Sequence, residues 1–301
     1  MRWRCAGVRW RKGVPGWRWF HPEHGDRAGG ELRLGAAVSL AVPDGVVREC
    51  VGVVRAGRRL PCPDAAATPA AAVRDQCERC AALDRSQSVA ADTVPDDPRT
   101  YAVYLAWFGT GLVKVGITAQ ERGPARLLEQ AAVCFTFLGH GPLMSARRTE
   151  AVLGAALGIP ERVRSPRKRA ARAALPPSEE RAAELRGRYE AALAVPGWQE
   201  TLTPAPYELV DHAAHFGLEP RAPRPTARVT GLAAGAALTG TVLAVAGSDV
   251  YLATGAGELL LDAHLVAGWP LCRPEGDGLA PPPTEPMAAA GQEGVTPEAL
   301  F

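Results

Sequence analysis

Four of the seven cysteines in this 301-residue sequence are spaced as the ligands of a metal ion. Cys77 and Cys80 form a C-x-x-C pair, by which one turn presents two thiolates to the same ion, and Cys50 and Cys62 lie just upstream. Four thiolates would give zinc a closed tetrahedral site. The predicted zinc is therefore structural, because four sulfur ligands leave no coordination position for a substrate.

Two alternatives to this zinc site remain open. The C-x-x-C pair could combine with His21 and His24, although two other cysteines are nearer in sequence. All the cysteines could also be unligated thiols, as is usual in a reducing compartment. The N-terminal residues are basic but are followed by no apolar segment of a secretory leader, so we expect a cytoplasmic protein without a disulfide framework.

The clearest secondary-structure pattern begins at residue 101. Apolar, β-branched and aromatic residues predict strands over 101–107 and 112–118, and the residues between them predict the turn of a hairpin. Pro124 suits the first turn of a helix that follows. Two further helices are predicted, one over about 143–157 and one from Ser178 to about residue 195.

This segment resembles a diverged domain of the GIY-YIG type. The resemblance is carried by YAVYLAWFGTGLVKVGIT, then by RGPARLLEQ, and then by ARRTE. The wider layout adds cysteines before this domain and the β-rich sequence GTVLAVAGSDVYL after it. That layout resembles an uncharacterised bacterial family known as DUF 2797, over roughly residues 30–270 and most strongly over 99–175.

The GIY-YIG resemblance implies a nuclease site. In these nucleases a hairpin tyrosine lies near the attacking water, a helix arginine faces the phosphate, and a glutamate on a later helix is the sole metal ligand. The matching residues are Tyr104, then Arg126 with Arg122 as a substitute, and Glu150. The resemblance thus implies Mg²⁺ at Glu150, where a carboxylate holds a hard cation close to the phosphate.

One departure from the GIY-YIG pattern bears directly on catalysis. The glycine of the second motif is kept as Gly116, but the tyrosine of that motif is replaced by Lys114. Lys114 could act as a general base, or it could contact phosphate without any chemistry. If the site is not catalytic, we expect Tyr104 to be a core residue and Glu150 to be an exposed partner of a neighbouring arginine.

The charge distribution suggests DNA or RNA as a partner. The net charge is +2, but residues 229–301 hold eight acidic residues and one basic residue, which leaves +9 on the first 228 residues. Basic side chains are densest over 161–174, where Arg167, Lys168 and Arg169 are consecutive and are predicted to bind nucleic acid. A solvated helix face is the commoner explanation of one charge run.

These patterns predict an α+β protein. The predicted parts are a β-rich domain from residues 1–48 and 205–272, a cysteine insert over 49–98, a GIY-YIG-like α/β domain with trailing helices over 99–200, and a disordered tail over 274–301. The leading hypothesis for function is a nucleic-acid-binding protein with metal-dependent phosphodiester cleavage. The alternative is a zinc-stabilised interaction module without catalysis.

The uncharged stretch 229–248 is long enough to cross a bilayer. Its apolar content is mostly alanine, and the residues after it form short apolar runs separated by glycines. We therefore expect strands here and no association with a membrane.

Overall fold

The computed structural model describes residues 2–55, 57–86, 97–160, 162–275 and 279–287. Helices and strands are both abundant, which confirms the α+β class. The helices are α1 (Glu78–Ser86), α2 (Gly123–Glu129), α3 (Leu143–Leu157), α4 (Ser165–Arg172), α5 (Ser178–Ala194) and α6 (Ala213–Phe216). The strands are β1 (Arg4–Arg11), β2 (Val14–His21), β3 (Gly25–Glu31), β4 (Ala37–Ala41), β5 (Val53–Arg55), β6 (Arg58–Leu60), β7 (Thr100–Trp107), β8 (Val113–Ala119), β9 (Cys134–Pro142), β10 (Thr203–Pro204), β11 (Val210–Asp211), β12 (Ala227–Val229), β13 (Ala237–Ala246), β14 (Asp249–Thr254), β15 (Gly257–Asp262) and β16 (Thr284–Pro286).

The predicted hairpin is formed by β7 and β8 and lies in a five-stranded sheet. The strand order is β10-β9-β7-β8, and β11 also pairs with β9. β7 is antiparallel to both of its neighbours, with Tyr104 opposite Gly116 and Ala106 opposite Lys114. Because directly opposed residues point to the same face of a sheet, this register places Tyr104, Gly116 and Lys114 on one face.

The two faces of this sheet bury different sets of side chains. Alternate residues of β7, ending with Trp107, belong to the main hydrophobic core. Tyr104, Ala106 and Phe108 instead belong to a small separate core that includes Leu127 of α2. This smaller core supports the face on which the candidate site lies.

Helix α5 packs against the sheet and holds the end of the hairpin. Its Glu184 accepts hydrogen bonds from the Trp107 indole (2.8 Å) and from the amide of Gly111 in the turn (2.9 Å). α5 begins at Ser178, directly after two prolines, and α3 covers Leu143–Leu157, both as predicted. The hairpin is therefore fixed at its turn by a helix from a distant part of the chain.

A six-stranded sheet joins a strand from near the start of the chain to strands from its last third. Its order is β16-β12-β15-β14-β13-β4, and β4 is antiparallel to β13. Half of the uncharged stretch 229–248 forms β13 of this sheet. Among the described residues, no helix has the length and apolar character needed to cross a membrane.

Residues 4–31 form a three-stranded antiparallel sheet, β1-β2-β3. Trp10 and Trp17 are buried in the main core, and the Trp10 indole donates to the carbonyl of Gly247 (3.0 Å). The amide of Cys5 donates to the carbonyl of Trp269 (2.9 Å). These bonds attach the N-terminal sheet to the segment around the six-stranded sheet.

The structure differs from the expectation of a disordered tail over 274–301. Thr284–Pro286 form β16, which pairs with β12, so this part of the stretch is a sheet edge. The prediction of disorder rested on the proline content of this segment, but proline is tolerated in edge strands such as β16. Residues 276–278 and 288–301 of the predicted tail lie outside the described residues.

Candidate functional site

The four cysteines predicted as metal ligands lie together. Cys50 precedes β5, Cys62 follows β6, and Cys77 and Cys80 stand at the start of α1. Their four Sγ atoms all lie within 4.8 Å of one another. The hairpin of β5 and β6 reverses the chain, and so it brings the first two cysteines to the beginning of the helix that carries the other two.

The backbone around this cluster supports thiolate ligands. The amides of Gly52 and Cys77 both donate to the Sγ of Cys50, at 3.4 and 3.2 Å. Gly52 has φ +72°, and a Cβ there would overlap the carbonyl oxygen of Leu60, so only glycine fits this turn. The backbone hydrogen bond from Cys80 lowers the pKa of Cys77, whereas burial raises the pKa of Cys50 to about 11.

The donor set therefore fits a metal ion such as zinc, which prefers four sulfur ligands in this arrangement. The alternative that combined the C-x-x-C pair with histidines does not match the geometry. His21 and His24 form a separate group with Glu23, while Cys77 and Cys80 group with the other two cysteines.

Tyr104 crosses the hairpin and lies over Gly116. A Cβ at position 116 would overlap the phenol and would lie 2.8 Å from its Cε2 atom, so the glycine makes room for the ring. The tyrosine is buried, with 1% of its surface exposed. Gln130, at the end of α2, donates from Nε2 to the Tyr104 hydroxyl at 2.8 Å. The space over Gly116 and the hydrogen bond from Gln130 at the end of α2 together fix the position of this hydroxyl.

Two of the predicted site residues act electrostatically on this hydroxyl. Burial is the largest cause that raises the pKa of Tyr104, and the negative charge of Glu150 raises it further. The hydrogen bond from Gln130 and the positive charge of Arg126 lower it. The charges of Arg126 and Glu150 therefore both reach the phenol, although the two residues lie on different helices.

Lys168 lies beside the same group of residues. Its Nζ donates to the carbonyl of Gln130 (2.9 Å) and lies 3.9 Å from the centre of the Phe108 ring. Burial lowers the pKa of Lys168 to about 8. The positive charges of Lys114, Arg172 and Arg126 lower it further.

The sheet register places Tyr104 and Lys114 on one face, and the charges of Arg126 and Glu150 both act on the Tyr104 hydroxyl, so all four residues predicted to be catalytic are connected electrostatically. Two residues outside that prediction, Gln130 and Lys168, join them through hydrogen bonds. We call these six residues the Tyr104 cluster: Tyr104, Lys114, Arg126, Gln130, Glu150 and Lys168. Gln130 stands within the quoted sequence RGPARLLEQ, four residues after Arg126. That helical spacing was the signal that could have identified it.

Arg122, the substitute for Arg126, has its own partner. Its Nη2 lies 2.5 Å from the Oε2 atom of Glu129, to which Arg126 is also close at 3.8 Å. Both arginine side chains are nearly half exposed. Arg126 is therefore the better placed of the two, since it also influences Tyr104.

The three basic residues predicted to bind nucleic acid have three different environments. Arg167 is exposed, as predicted for a phosphate contact, and Lys168 is half-buried in the Tyr104 cluster. Arg169 requires a correction, because its guanidinium pairs with Asp249 (2.6 Å) and Asp262 (2.7 Å), which lie opposite each other at the ends of two central strands of the six-stranded sheet. This pairing joins α4 to β14 and β15. The guanidinium of Arg169 is therefore paired with two carboxylates of this chain, and we do not expect it to contact nucleic acid.

A family model described as "Protein of unknown function (DUF2797)" matches residues 49–271. The chain belongs to the DUF2797 family. The residues shared with the DUF2797 model include the four cysteines and the whole Tyr104 cluster, whereas β1 to β4 precede the match. No curated protein and no solved structure matches this DUF2797 chain.

Proposed function

We propose that the protein binds nucleic acid at the Tyr104 cluster and cleaves a phosphodiester bond there, with a divalent metal ion at Glu150. The observation that carries the proposal is that Tyr104 shares a face of the hairpin with Lys114, while the opposite charges of Arg126 and Glu150, from two separate helices, both act on its hydroxyl. The order of these elements agrees with the GIY-YIG resemblance, which has a tyrosine on the hairpin, an arginine on the next helix and a glutamate on a later one.

The chemistry of the cluster suits a phosphate with a metal ion. One carboxylate beside a phenol is a suitable site for Mg²⁺, which keeps several waters and binds through one or two carboxylates together with the phosphate oxygens. When bound, the ion would supply charge stabilisation to the phosphate. Arg126 has a half-exposed guanidinium that can hold a phosphate oxygen, and Lys114 adds a second positive charge to the same face.

Lys168 is suited to move a proton in this site. Its pKa of about 8 is close enough to neutrality for the amine to gain and lose a proton, which a normal lysine does not do. The contact with the Gln130 carbonyl holds the Lys168 ammonium beside the residue that binds the Tyr104 hydroxyl. Gln130 thus links the two groups, since its backbone carbonyl accepts from Lys168 and its side-chain amide donates to Tyr104.

One observation favours the alternative of a module without catalysis. Tyr104 is only 1% exposed and its hydroxyl already has a partner in Gln130, as expected of a residue that stabilises the core. In this alternative the Tyr104 cluster would bind phosphate and cut nothing. Binding and cleavage must therefore be measured separately.

Binding is tested by the fluorescence anisotropy of labelled DNA and RNA over a range of salt concentrations. We expect affinity to fall steeply as salt rises, because each phosphate contact releases counterions. Arg126→Ala should lower the slope of log affinity against log salt by about 1. Arg221→Ala is the control, since Arg221 is exposed and stands outside the cluster. No binding at low salt, or the same slope for both variants, would contradict the binding proposal.

Cleavage is tested with purified protein, Mg²⁺ and the nucleic acid that binds best. Glu150→Gln keeps the shape of the side chain and removes its charge, so it should abolish cleavage and leave binding intact. The control is Glu190→Gln, a change at an exposed position of α5. If the wild type binds but cuts nothing, the module without catalysis is the correct function. If Glu150→Gln cuts at the wild-type rate, the cleavage does not take place at this site and the proposed site is wrong.

We further propose that the four cysteines hold one structural zinc ion. Wild-type protein should then contain about one cysteine-bound zinc per chain, and Cys77→Ser should release it and unfold the segment around α1. Cobalt substitution reads this site alone, since thiolate ligands give cobalt an intense charge-transfer absorption. Cys272→Ser is the control, because Cys272 is exposed and outside the cluster. An absorption that survives in Cys77→Ser, or is lost in both variants, would refute the assignment.

A further inference from the structure

The turn between β2 and β3 brings two imidazoles and a carboxylate together. His21 is the last residue of β2 and pairs with Gly25, the first of β3, so the three residues between them form a tight turn. Within that turn stand Glu23 and His24. One ligand atom from each of His21, Glu23 and His24 lies within 4.8 Å of the others.

The rings of this group are held by packing. The imidazoles of His21 and His24 stack, with their centres 4.6 Å apart and their planes 22° apart. Trp3 lies against both, at 5.4 Å from His21 and 6.3 Å from His24. The guanidinium of Arg27 covers the Trp3 ring at 4.5 Å. Two histidines of a surface turn are thus fixed close to each other, which lowers the entropy lost on binding a ligand.

A hydrogen bond identifies the ring nitrogen of His21 that offers a lone pair. The amide of Glu23 donates to its Nδ1 atom at 3.2 Å, so this nitrogen carries a lone pair. A lone pair is what a metal ion requires, since a protonated ring nitrogen cannot ligate. This hydrogen bond is at the long end of its range, and a metal ion at Nδ1 would replace it with a stronger interaction.

We propose that His21, Glu23 and His24 bind one divalent transition-metal ion, with zinc as the best-suited metal. Two imidazoles and one carboxylate are ligands that zinc accepts, and this donor set differs from the four sulfurs of the other cluster. The site belongs to the N-terminal sheet and precedes the residues matched by the DUF2797 model. It is independent of the proposed nuclease function.

The surroundings indicate what such a metal ion would do. His21 and His24 line a cleft of about 520 Å³, whose other walls include Trp3 and Cys272. Three protein ligands leave zinc with an open coordination position, in contrast to a site with four cysteines. This position is available to water or to a small ligand that enters the cleft. The metal ion is therefore a binding centre as well as a support for the turn.

The proposal is tested by counting zinc in the full-length protein after dialysis against a fixed concentration of free zinc. His24→Ala should lower the stoichiometry by one zinc per chain, and Glu23→Gln should weaken the same zinc at least tenfold. Both side chains are exposed in a turn, so neither variant removes core packing. In the cobalt-substituted protein, His24→Ala should leave the thiolate absorption of the cysteine cluster unchanged.

Two matched variants control for changes that are not specific to the site. His264→Ala removes a histidine that, like His24, lies near a carboxylate, and Glu31→Gln removes an exposed glutamate of β3. Both should keep the wild-type stoichiometry. The proposal is overturned if His24→Ala and Glu23→Gln hold as much zinc as the wild type, or if His264→Ala loses the same zinc.

Discussion

A single glycine determines whether Tyr104 can take its place in the candidate site. Gly116 is directly opposite Tyr104 in the sheet, and its missing side chain leaves the space that the phenol fills. We expect Gly116→Ala to force the ring from this position and to destabilise the fold by about 1–3 kcal/mol, as overpacking of a core does. Urea unfolding of the variant measures this cost, and loss of the Gln130 bond should accompany it.

Gly30→Ala is the matched control for this substitution. Gly30 is also a strand glycine, but a Cβ there meets no atom within 4 Å. The expected change in unfolding free energy is small. Equal stability of the Gly116 variant and the wild type would mean that Tyr104 does not need its observed position.

His264 gives the stability of the protein a dependence on pH. Its hydrogen bond to Asp262 (2.8 Å) raises its pKa, burial opposes the rise, and the negative charges of Asp262, Asp75 and Asp249 add to it. A raised pKa in the folded state means that the stabilisation is complete below the unfolded value of about 6.5 and is lost as pH rises through the folded value. The side chain is half exposed, so the effect is below about 1 kcal/mol.

The test compares the unfolding free energies of the wild type and His264→Gln at pH about 5.5 and about 9. The wild type should be more stable than the variant at the lower pH, and the difference should shrink at the higher pH. A difference that is constant, or that grows with pH, would show that His264 is not the titrating group.

At the scale of secondary-structure elements, α4 is attached to the six-stranded sheet by buried charges. Asp249 accepts hydrogen bonds from Arg169 (2.6 Å) and from Arg172, which is 2% exposed. Asp249→Asn should cost about 3–5 kcal/mol in urea unfolding, because it leaves the buried guanidinium of Arg172 without a carboxylate and leaves Arg169 with Asp262 alone. It should also make α4 accessible to proteases.

A surface ion pair provides the control for that substitution. Arg228 and Glu285 also pair across strands, but their side chains are 42% and 45% exposed. Glu285→Gln should therefore cost no more than about 1 kcal/mol. If the two substitutions cost the same, the buried network does not hold α4 to the sheet.

The elements themselves could largely be predicted from the sequence, because their signals are local. The hairpin follows from β-branched and aromatic runs around a glycine turn, and α3 follows from apolar residues at helical spacing. The role of Arg169 could not be predicted, since its partner Asp249 is 80 residues away and only the folded topology joins them. A charge run in a sequence does not reveal which of its members are already paired.

Residue types and their spacing in the sequence could predict part of the candidate site. The C-x-x-C pair predicted a cluster of four cysteines that the structure does form, whereas the catalytic roles that the resemblance implies around Tyr104 stay predictions. The place of Lys168 in the Tyr104 cluster was missed, because it depends on the packing of α4 against Phe108 and Gln130. Contacts of this kind are set by tertiary structure and leave no periodic signal.

At the scale of the whole molecule, the pairing of β4 with β13 bears on how the protein is made. Ala41 pairs with Ala237, and the backbone amide of Cys5 donates a hydrogen bond to the carbonyl of Trp269. Residues near the N-terminus therefore need partners from the last third of the chain, which is synthesised late. At about 5–20 residues per second, β4 leaves the ribosome roughly 10–40 s before β13 exists. A nascent chain stalled before residue 237 should be cut by protease at β4, while the hairpin of β7 and β8 is already protected. The edge of β4 is thus exposed to other chains throughout synthesis, which makes this early strand the segment for which a chaperone would matter most.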